Sequence, residues 1–274
     1  MGNPKKIGQI SHREYNWLKQ FQNLTLEEKA KIDEYEIAKA PKPKPKKLVQ
    51  PKKEPIEITN GLLWNMFKKA FKAETGSDFI ENKATLSNIE PIIKYFSGDT
   101  TFKECKALRS DLSKPSFKKG LLIVGFFGNG KSSIMKVLSK SMRYYRMPIQ
   151  FGFYNMHDLV IKYETLGSAE KSAEADKRHF YDMICDKYPI CLDDVKKERI
   201  ANYYGKANLV KDIIEKRYDK NARTYITCNY RENDTEGNID DALIEFGEKY
   251  GSHIYDRLFE MFNIIQFTGK SYRK

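Results

Sequence analysis

A glycine-rich segment that carries a lysine, GFFGNGKSS at 125–133, has the spacing of a phosphate-binding loop, Gly-x-x-x-x-Gly-Lys-Ser/Thr. Glycines in such a loop let backbone N–H groups surround a polyphosphate, while the lysine reaches the β- and γ-phosphates and the serine hydroxyl binds Mg²⁺. The helix expected to follow would direct its positive end at the same anion. The sequence therefore predicts a site for ATP and Mg²⁺. Its candidate nucleotide-binding residues are Gly125, Gly128, Asn129, Gly130, Lys131, Ser132 and Ser133, with Ser132 also a candidate metal ligand.

Two adjacent carboxylates, Asp193 and Asp194, follow directly on the apolar run YPICL. Taken alone, the pair fits a strand that runs out into a solvated acidic turn. A phosphate-binding loop, however, needs a carboxylate at the end of a neighbouring strand to hold Mg²⁺ through its water shell. We therefore expect Asp193 to serve the metal and Asp194 to polarise a water for attack on the γ-phosphate. Both are candidate catalytic residues.

Three polar residues farther along the chain are candidates for supporting roles. Asn229 follows the apolar run TYITC, where it could orient the attacking water or simply cap a strand. Arg257 lies on an amphipathic segment, GSHIYDRLFEMF, where an arginine is ordinarily solvated or salt-bridged. Arg273 lies near the end of FTGKSYRK. Residue types alone leave the roles of these three open.

Short apolar runs that alternate with helical segments must position these residues. The runs predict five strands, at 121–124, 149–154, 188–192, 224–228 and 263–267. The intervening segments predict helices near 133–145, 156–166, 170–186, 208–219, 240–250 and 252–262. Such alternation predicts an α/β fold whose mostly parallel sheet is covered by helices on both faces.

The motifs occur in an order that resembles one family. An apolar strand, GFFGNGKS, LDD, TCN, GSHIYDRL and FTGKSYR together resemble the DnaC/IstB branch of the AAA+ ATPases, which includes bacterial and phage helicase loaders. The resemblance covers roughly residues 115–274, and its most specific part is the Gly-x-x-x-x-Asp-Arg-Leu helix followed by a strand and Gly-x-Ser-x-Arg. It implies a P-loop AAA+ core with a parallel five-stranded sheet and no separate C-terminal lid.

The resemblance also implies roles for single residues. Asp193 matches the Walker B aspartate and Asn229 the sensor-1 residue. Arg257 matches an arginine finger that reaches the ATP of a neighbouring subunit, which requires self-association, and Arg273 matches the sensor-2 arginine. Asp194 stands where AAA+ proteins usually carry glutamate, which is one methylene longer. Slow hydrolysis, or ATP used mainly as an assembly switch, is therefore expected.

The first 114 residues show three zones of different composition. We expect an N-terminal helical arm over 1–40, a Pro/Lys-rich linker over 41–55 and a helical partner-binding region over 56–114, before the ATPase domain over 115–274. Thr25 and Glu28 fit a capping box in the arm. In the third zone, GLLWNMFKKAFKAE predicts an amphipathic helix with Leu62, Leu63, Met66, Phe67, Ala70 and Phe71 on its buried stripe. The segment SNIEPIIKYF predicts a second helix with Pro91 near its start. A region this small has little apolar core of its own, so we expect it to pack against the next domain or against another protein.

Composition limits the classes of partner. The formal net charge of +12 favours an anionic partner, with nucleic acid first, although lysines that merely solubilise the chain would give the same total. Phe151, Phe153, Tyr154 and the Lys-rich tract are candidate DNA contacts, and the three aromatic residues fit a protein core at least as well. No apolar run reaches 18 residues, and the four cysteines show no Cys-x-x-Cys pair. We expect a cytoplasmic protein without a membrane partner and without a zinc site.

The expected function is that of an ATP-dependent helicase loader, as the resemblance implies. Such a protein binds a replicative DNA helicase and single-stranded DNA, and it assembles as an ATP-bridged oligomer during the initiation of DNA replication. The alternative within the same family is an IstB-like transposition helper that remodels double-stranded DNA. Two other classes stay open, a P-loop phosphotransferase that acts on a small metabolite and an adaptor that binds ATP without hydrolysing it.

Overall fold

The computed structural model describes residues 11–20, 24–39, 58–166, 173–202 and 206–272. The chain divides into two compact units, Met1–Ile56 and Glu57–Lys274. The Pro/Lys-rich linker lies outside the described residues, and the finer domain boundaries stay predictions.

The first unit contains two helices, α1 (His12–Leu18) and α2 (Leu26–Lys39). Leu18 and Ile32 are its buried apolar side chains among the described residues, and partly buried tyrosines pack beside them. The predicted capping box is confirmed, because the Thr25 N–H donates to Glu28 Oε2 at 2.9 Å and the Glu28 N–H donates to Thr25 Oγ1 at 3.4 Å.

The second unit is built on a five-stranded parallel sheet with the order β2-β3-β6-β1-β7. Its strands are β1 (Gly120–Gly125), β2 (Gly152–Asn155), β3 (Ile190–Val195), β6 (Thr224–Cys228) and β7 (Phe262–Phe267), and a short antiparallel pair is formed by β4 (Ala201–Asn202) and β5 (Lys206–Ala207). The helices are α3 (Asn60–Thr75), α4 (Lys83–Ser97), α5 (Lys131–Tyr144), α6 (Met156–Glu164), α7 (Ala173–Ile184), α8 (Leu209–Asp219), α9 (Ile239–Tyr250) and α10 (Ser252–Met261), with a 3₁₀ turn at Thr100–Glu104. The predicted α/β fold with a parallel sheet is confirmed.

Two apolar cores lie on opposite faces of this sheet. Side chains alternate along a strand, so β1 sends Leu121 and Ile123 to one core and Leu122 and Val124 to the other. Helices α3, α4 and α5 cover the first face, and helices α6 to α10 contribute to the core on the second. A strand buried on both faces reads as a continuous apolar run, which is why LLIV gave a clear prediction.

The helical region before β1 packs against the sheet. Phe67 and Phe96 are fully buried, and the Phe96 ring stacks on Phe151 with centroids 5.4 Å apart. Phe151 is therefore a core residue, and its prediction as a DNA contact is wrong. Leu62 is 36% exposed, because the buried stripe of α3 is centred on Leu63 and Phe67 and the adjacent residue is rotated about 100° away.

Two local predictions are corrected by the structure. Pro91 lies in the middle of α4 rather than near its start, because the helix begins earlier, at an Asn82–Thr85 capping box. Strand β3 runs to Val195 and so includes the acidic pair, whereas the apolar run that predicted it ends at Leu192.

A fully buried arginine, Arg217 on α8, joins the segments that lead into β3 and β6. Its guanidinium donates to the carbonyl oxygens of Ile184 (2.7 Å), Asp186 (2.8 Å), Tyr188 (3.0 Å) and Arg223 (2.8 Å), and to Thr224 Oγ1 (2.8 Å). Burial lowers its pKa to about 10. These neutral acceptors let one buried cation organise the edge of the sheet at which the strands begin.

Across the described residues, each helix is too short or too polar to cross a bilayer.

Candidate functional site

The phosphate-binding loop connects β1 to α5, as predicted. Gly128 and Gly130 have φ angles of 74° and 93°, in the left-handed region that favours glycine. Gly125 needs to be glycine for another reason, since a Cβ there would lie 2.7 Å from Phe267 Cβ on β7 and 2.5 Å from Asn129 Nδ2. The loop therefore depends on the two glycines that the motif prescribes, Gly125 and Gly130, and on a third at Gly128.

Lys131, the first residue of α5, is a buried cation that is 4% exposed. Its Nζ donates to the carbonyl oxygens of Gly125 (2.7 Å) and Phe126 (2.8 Å) and to the amide oxygens of Asn129 (3.2 Å) and Asn229 (3.1 Å). Burial lowers its pKa to about 8. All four acceptors are neutral, so an anion in the loop would give this lysine a better partner than any it has.

A β-bulge places both aspartates opposite a single threonine. Strand β3 pairs Leu192 with Ile226 and Val195 with Cys228, so Asp193 and Asp194 together face Thr227. Thr227 Oγ1 donates to Asp193 Oδ1 at 2.5 Å and accepts the Asp194 N–H at 3.1 Å. Asp194 has a φ of 56°, a left-handed conformation that aspartate tolerates better than most residues. The bulge thus lets adjacent residues, which normally point to opposite faces, serve one site.

Asp193 is 3% exposed and lies beside Ser132. Burial raises the pKa of its carboxyl group, and hydrogen bonds from Thr227, Ser132 and Asn155 oppose that rise. The Asn155 Nδ2 group donates to Asp193 Oδ2 at 3.5 Å. A serine hydroxyl and a carboxylate side by side are hard oxygen ligands of the kind that Mg²⁺ prefers.

The Asp194 carboxylate is half-buried and has a cationic neighbour that sequence reasoning missed. Lys197 Nζ lies 3.4 Å from Asp194 Oδ1 and 4.3 Å from the centroid of the Phe127 ring. The Phe127 side chain is 52% exposed. Nothing in the sequence singles out Lys197, because a lysine three residues after an aspartate is a common pattern.

A cavity of about 380 Å³ unites these groups. It is lined by the loop residues 127–133 and by Asp194, Lys197 and Asn229. The amide Nδ2 atoms of Asn129 and Asn229 are buried and lack a hydrogen-bond partner among the described residues. A buried donor without an acceptor costs about 1–3 kcal/mol, so a ligand rich in acceptor oxygens would stabilise the site. Phosphate groups with Mg²⁺ fit this donor set.

The helical region and the last residues of the chain supply the rest of the cavity wall, which the sequence did not predict. Phe71, Thr75, residues 77–80, Thr85 and Asn88 line the cavity from one side, and Tyr272 lines it from another. Asn88 holds the end of β7, because it donates to Thr268 O at 2.8 Å and accepts the Thr268 N–H at 2.9 Å. The Tyr272 N–H donates to Gly128 O at 2.9 Å. These residues shape the cavity beside the loop, where the base of a nucleotide would need walls.

Arg257 is not among the described residues that line this cavity. Arg257 lies on α10 with its guanidinium 4.4 Å above the Tyr218 ring, and its Nη1 is buried without a partner in the described part of the chain. The Tyr218 hydroxyl in turn donates to Glu260 Oε2 at 2.6 Å. Arg273 lies outside the described residues, and its preceding residue is the Tyr272 that contacts the loop.

Comparison by sequence, with protein-family models and with curated proteins, gives no match. Comparison with solved structures gives matches at low sequence identity. A crystal structure of the DnaC helicase loader is 18% identical with a TM-score of 0.49, and the match covers 75% of this chain and 98% of that one. A candidate primosome component from Streptococcus pyogenes serotype M3 is 16% identical with a TM-score of 0.40, covering 70% of this chain and 100% of that one.

The third match is DnaA from Aquifex aeolicus bound to AMPPCP. It is 14% identical with a TM-score of 0.38, and the match covers 69% of this chain and 48% of that one. At these identities and TM-scores, the function of this chain has to be argued from its own residues.

Proposed function

We propose that the chain is an ATPase whose nucleotide site is the cavity beside the phosphate-binding loop. One observation carries this proposal: Lys131, Ser132 and Asn229 line a cavity at the ends of β1 and β6, and Asp193 on β3 lies beside Ser132. Two buried amide donors of that cavity lack a partner among the described residues. Lys131 and the loop N–H groups would hold the β- and γ-phosphates, and Ser132 and Asp193 would hold Mg²⁺. The bound ion would neutralise charge on the phosphate oxygens.

Asp194 is our candidate for the residue that polarises the attacking water, and Asn229 is our candidate for orienting it. Asp194 lines the cavity, and Asn229 is placed beside Lys131 by a 3.1 Å hydrogen bond. Because an aspartate is one methylene shorter than glutamate and a misplacement of ~1 Å costs about 100-fold, slow turnover is expected. ATP would then act largely as an assembly signal.

We further propose that this ATPase loads a replicative DNA helicase onto single-stranded DNA during replication initiation. The order of motifs from GFFGNGKS to FTGKSYR supports this, as does the net charge of +12. The position of Arg257 is compatible with it, since this arginine is not among the described residues that line its own cavity and would be free to serve the cavity of another copy. The helical region over 56–114 would bind the helicase, and Arg273 would read the chain's own γ-phosphate.

The test is ATP turnover and sedimentation of the purified chain, with and without single-stranded DNA, at two salt concentrations. We expect turnover and assembly to increase with single-stranded DNA and the effect to weaken as salt rises. Stimulation by double-stranded DNA alone would instead favour a transposition helper. A monomer that hydrolyses ATP but ignores both forms of DNA would contradict the loader.

Lys131→Ala tests the nucleotide site separately from the loader. We expect this variant to lose ATP binding because it lacks the cation that faces the phosphates. Tight ATP binding by Lys131→Ala, measured by calorimetry, would overturn the site itself.

A further inference from the structure

The edge of the sheet opposite the phosphate-binding loop carries an exposed set of cations and tyrosines. In a parallel sheet all strands begin at one edge, and here four adjacent strands, β2, β3, β6 and β1, are each preceded by a loop at that edge. We give the name amino edge to the end of α5 with the loop that follows it (143–151) and to the loops 185–189, 220–223 and 116–119. Strand β1 has six residues, so the amino edge lies ~20 Å from the phosphate-binding loop.

Cations outnumber carboxylates at the amino edge by seven to one. The cations are Arg143, Arg146, Lys187, Lys220, Arg223, Lys118 and Lys119, and the carboxylate is Asp186. Five of the seven are exposed, whereas Lys119 and Arg223 are half-buried and donate to the carbonyl oxygens of Phe259 and Phe117. Asp219 and Glu260 add two acidic side chains at the ends of adjacent helices. The edge therefore keeps a positive balance when these neighbours are included.

The segment Arg143-Tyr144-Tyr145-Arg146 is an exposed part of the amino edge. All four side chains are exposed, with Tyr144 at 81% and Tyr145 at 46%. The two rings meet edge to face with centroids 5.0 Å apart. Neither arginine has an ion-pair partner within the described ranges of the chain, unlike Arg199 and Arg231, which pair with glutamates.

Tyr188 adds a third exposed ring to the same edge. It is 45% exposed, and it precedes β3, which neighbours β2 in the sheet. The Gly152 N–H donates to Pro189 O at 2.9 Å, which fixes the loop of Tyr188 beside the loop of Tyr145. Arg217 holds the Tyr188 backbone from beneath through its 3.0 Å hydrogen bond. The ring is thus presented from an ordered backbone.

We propose that the amino edge is a binding surface for single-stranded polynucleotide, with Tyr144, Tyr145 and Tyr188 stacking on bases and the arginines and lysines contacting phosphates. This inference rests on the proposed binding of single-stranded DNA and gives it a location. Exposed aromatic rings stack on unpaired bases, whereas the base faces of a duplex are already covered. An acidic protein surface would also use the cations, and the polyglutamate displacement experiment distinguishes it from a single strand.

The four loops are adjacent, so they span ~15 Å across three inter-strand spacings. This width suits a site of a few nucleotides, the scale of the smallest single-strand sites of proteins. A cavity of about 430 Å³, lined by Lys118, Asn221 and Arg223 among others, opens at the β1 end of the edge and extends the surface. Polynucleotide bound here would lie away from the ATP site, so both ligands could be held at once.

The experiment measures the affinity of the full chain for a fluorescent 20-nucleotide oligothymidylate over a salt series. Tyr144→Ala/Tyr145→Ala should weaken binding about 10-fold or more, since one stacked base contributes that much, and Tyr144→Phe/Tyr145→Phe should bind within about twofold of wild type. Arg143→Gln/Arg146→Gln should lower the slope of log affinity against log salt by about 1.4, at about 0.7 per lost phosphate contact on a single strand.

Lys69→Gln/Lys83→Gln is the matched control. Both lysines are exposed and lie on α3 and α4, away from the amino edge, and the substitutions remove the same charge. This control should bind the oligonucleotide like wild type, and every variant should bind ATP like wild type. Oligouridylate and duplex DNA, tested alongside, separate single-stranded DNA from RNA and from double-stranded DNA.

The outcomes distinguish this inference from the proposed function. If wild type binds the oligonucleotide and the tyrosine and arginine variants bind it equally well, the amino edge is not the binding surface. The loader proposal is unaffected by that result. If wild type binds no single strand at any salt concentration, both the binding surface at the amino edge and the loader proposal are overturned. If polyglutamate displaces the oligonucleotide from wild type while Tyr144→Ala/Tyr145→Ala binds normally, the surface recognises acidic protein and the inference is overturned.

Discussion

The ammonium group of Lys131 is buried, and its hydrogen-bond partners are neutral carbonyl and amide oxygens. Its Nζ donates hydrogen bonds to four neutral oxygens and to no carboxylate of the described residues, and burial lowers its pKa to about 8. A bound polyphosphate favours the charged form and so raises that pKa. The free protein then binds fewer protons than the complex at pH values above about 8.

This difference predicts a pH dependence of ATP affinity. Affinity should be level below pH 8 and should fall as pH rises through 8, because the free lysine loses its proton before the bound one does. Calorimetry near pH 8.5, in buffers with different ionisation enthalpies, should show uptake of a fraction of a proton on binding. Constant affinity from pH 7 to pH 9.5, with no proton uptake, would show that Lys131 does not face the phosphates.

Asp194 can be tested at the same scale with a matched pair of substitutions. Asp194→Asn removes the charge that would polarise water and should slow hydrolysis about 100-fold or more while ATP binding persists. Asp194→Glu keeps the charge and should retain turnover, although the left-handed φ of 56° suits glutamate less well. Single-turnover hydrolysis measures both. Wild-type turnover by Asp194→Asn would remove this residue from the chemistry.

The elements that carry the site follow closely from local sequence patterns. Strands β1 and β6 were predicted within one residue at each end, because strands buried on both faces are continuous apolar runs. Helices α5 to α10 were predicted within three residues at each end where the two can be compared. The bulge at Asp193 and Asp194 could not be predicted, since it arises from pairing with Thr227 on a strand 33 residues away. The pair β4 and β5 was missed because two-residue strands have no periodicity.

Arg217 yields a prediction about the elements themselves. Arg217→Met would leave four backbone carbonyl oxygens and the Thr224 hydroxyl without their buried hydrogen-bond donor. The free energy of unfolding should therefore fall by ~3–5 kcal/mol. Arg217→Lys should lose less, because an ammonium group keeps the charge but has only three donors for five acceptors. Urea denaturation followed by circular dichroism measures both. A loss below about 1 kcal/mol for Arg217→Met would show that the edge is held by other contacts.

At the scale of the second unit, the site has walls that no local pattern reveals. Phe71, Asn88 and Tyr272 reach the cavity from regions that are far apart in sequence, and the sequence indicated only that the helical region would lean on a neighbour. Phe151 is a second example of a feature that local sequence does not reveal. It was predicted as a DNA contact, but it is fully buried and stacks on Phe96 of α4. Local motifs predicted the candidate phosphate-binding and metal-binding residues. The burial of Phe151 and the distant residues that form the cavity wall could be found only in the structure.

The unit also separates its two proposed ligands. Nucleotide would bind where β1, β3 and β6 end, and polynucleotide would bind where the same strands begin. Arg257 is not among the described residues that line the nucleotide cavity of its own chain, and its guanidinium lies over Tyr218, which lines the cavity of about 430 Å³ at the amino edge. We propose that it serves the nucleotide site of a second copy. The central claim is therefore that a complete catalytic site contains residues of two copies.

Mixing two inactive variants tests that claim most directly. Asp194→Asn retains Arg257 but has an impaired water site, and Arg257→Ala has an intact water site but lacks the arginine. Each alone should bind ATP and hydrolyse it slowly in the presence of single-stranded DNA. An equal mixture should regain about a quarter of wild-type turnover, since random assembly pairs an intact site with an intact arginine in one contact of four. Turnover in the mixture no greater than the mean of the two separate variants would contradict a site shared between copies.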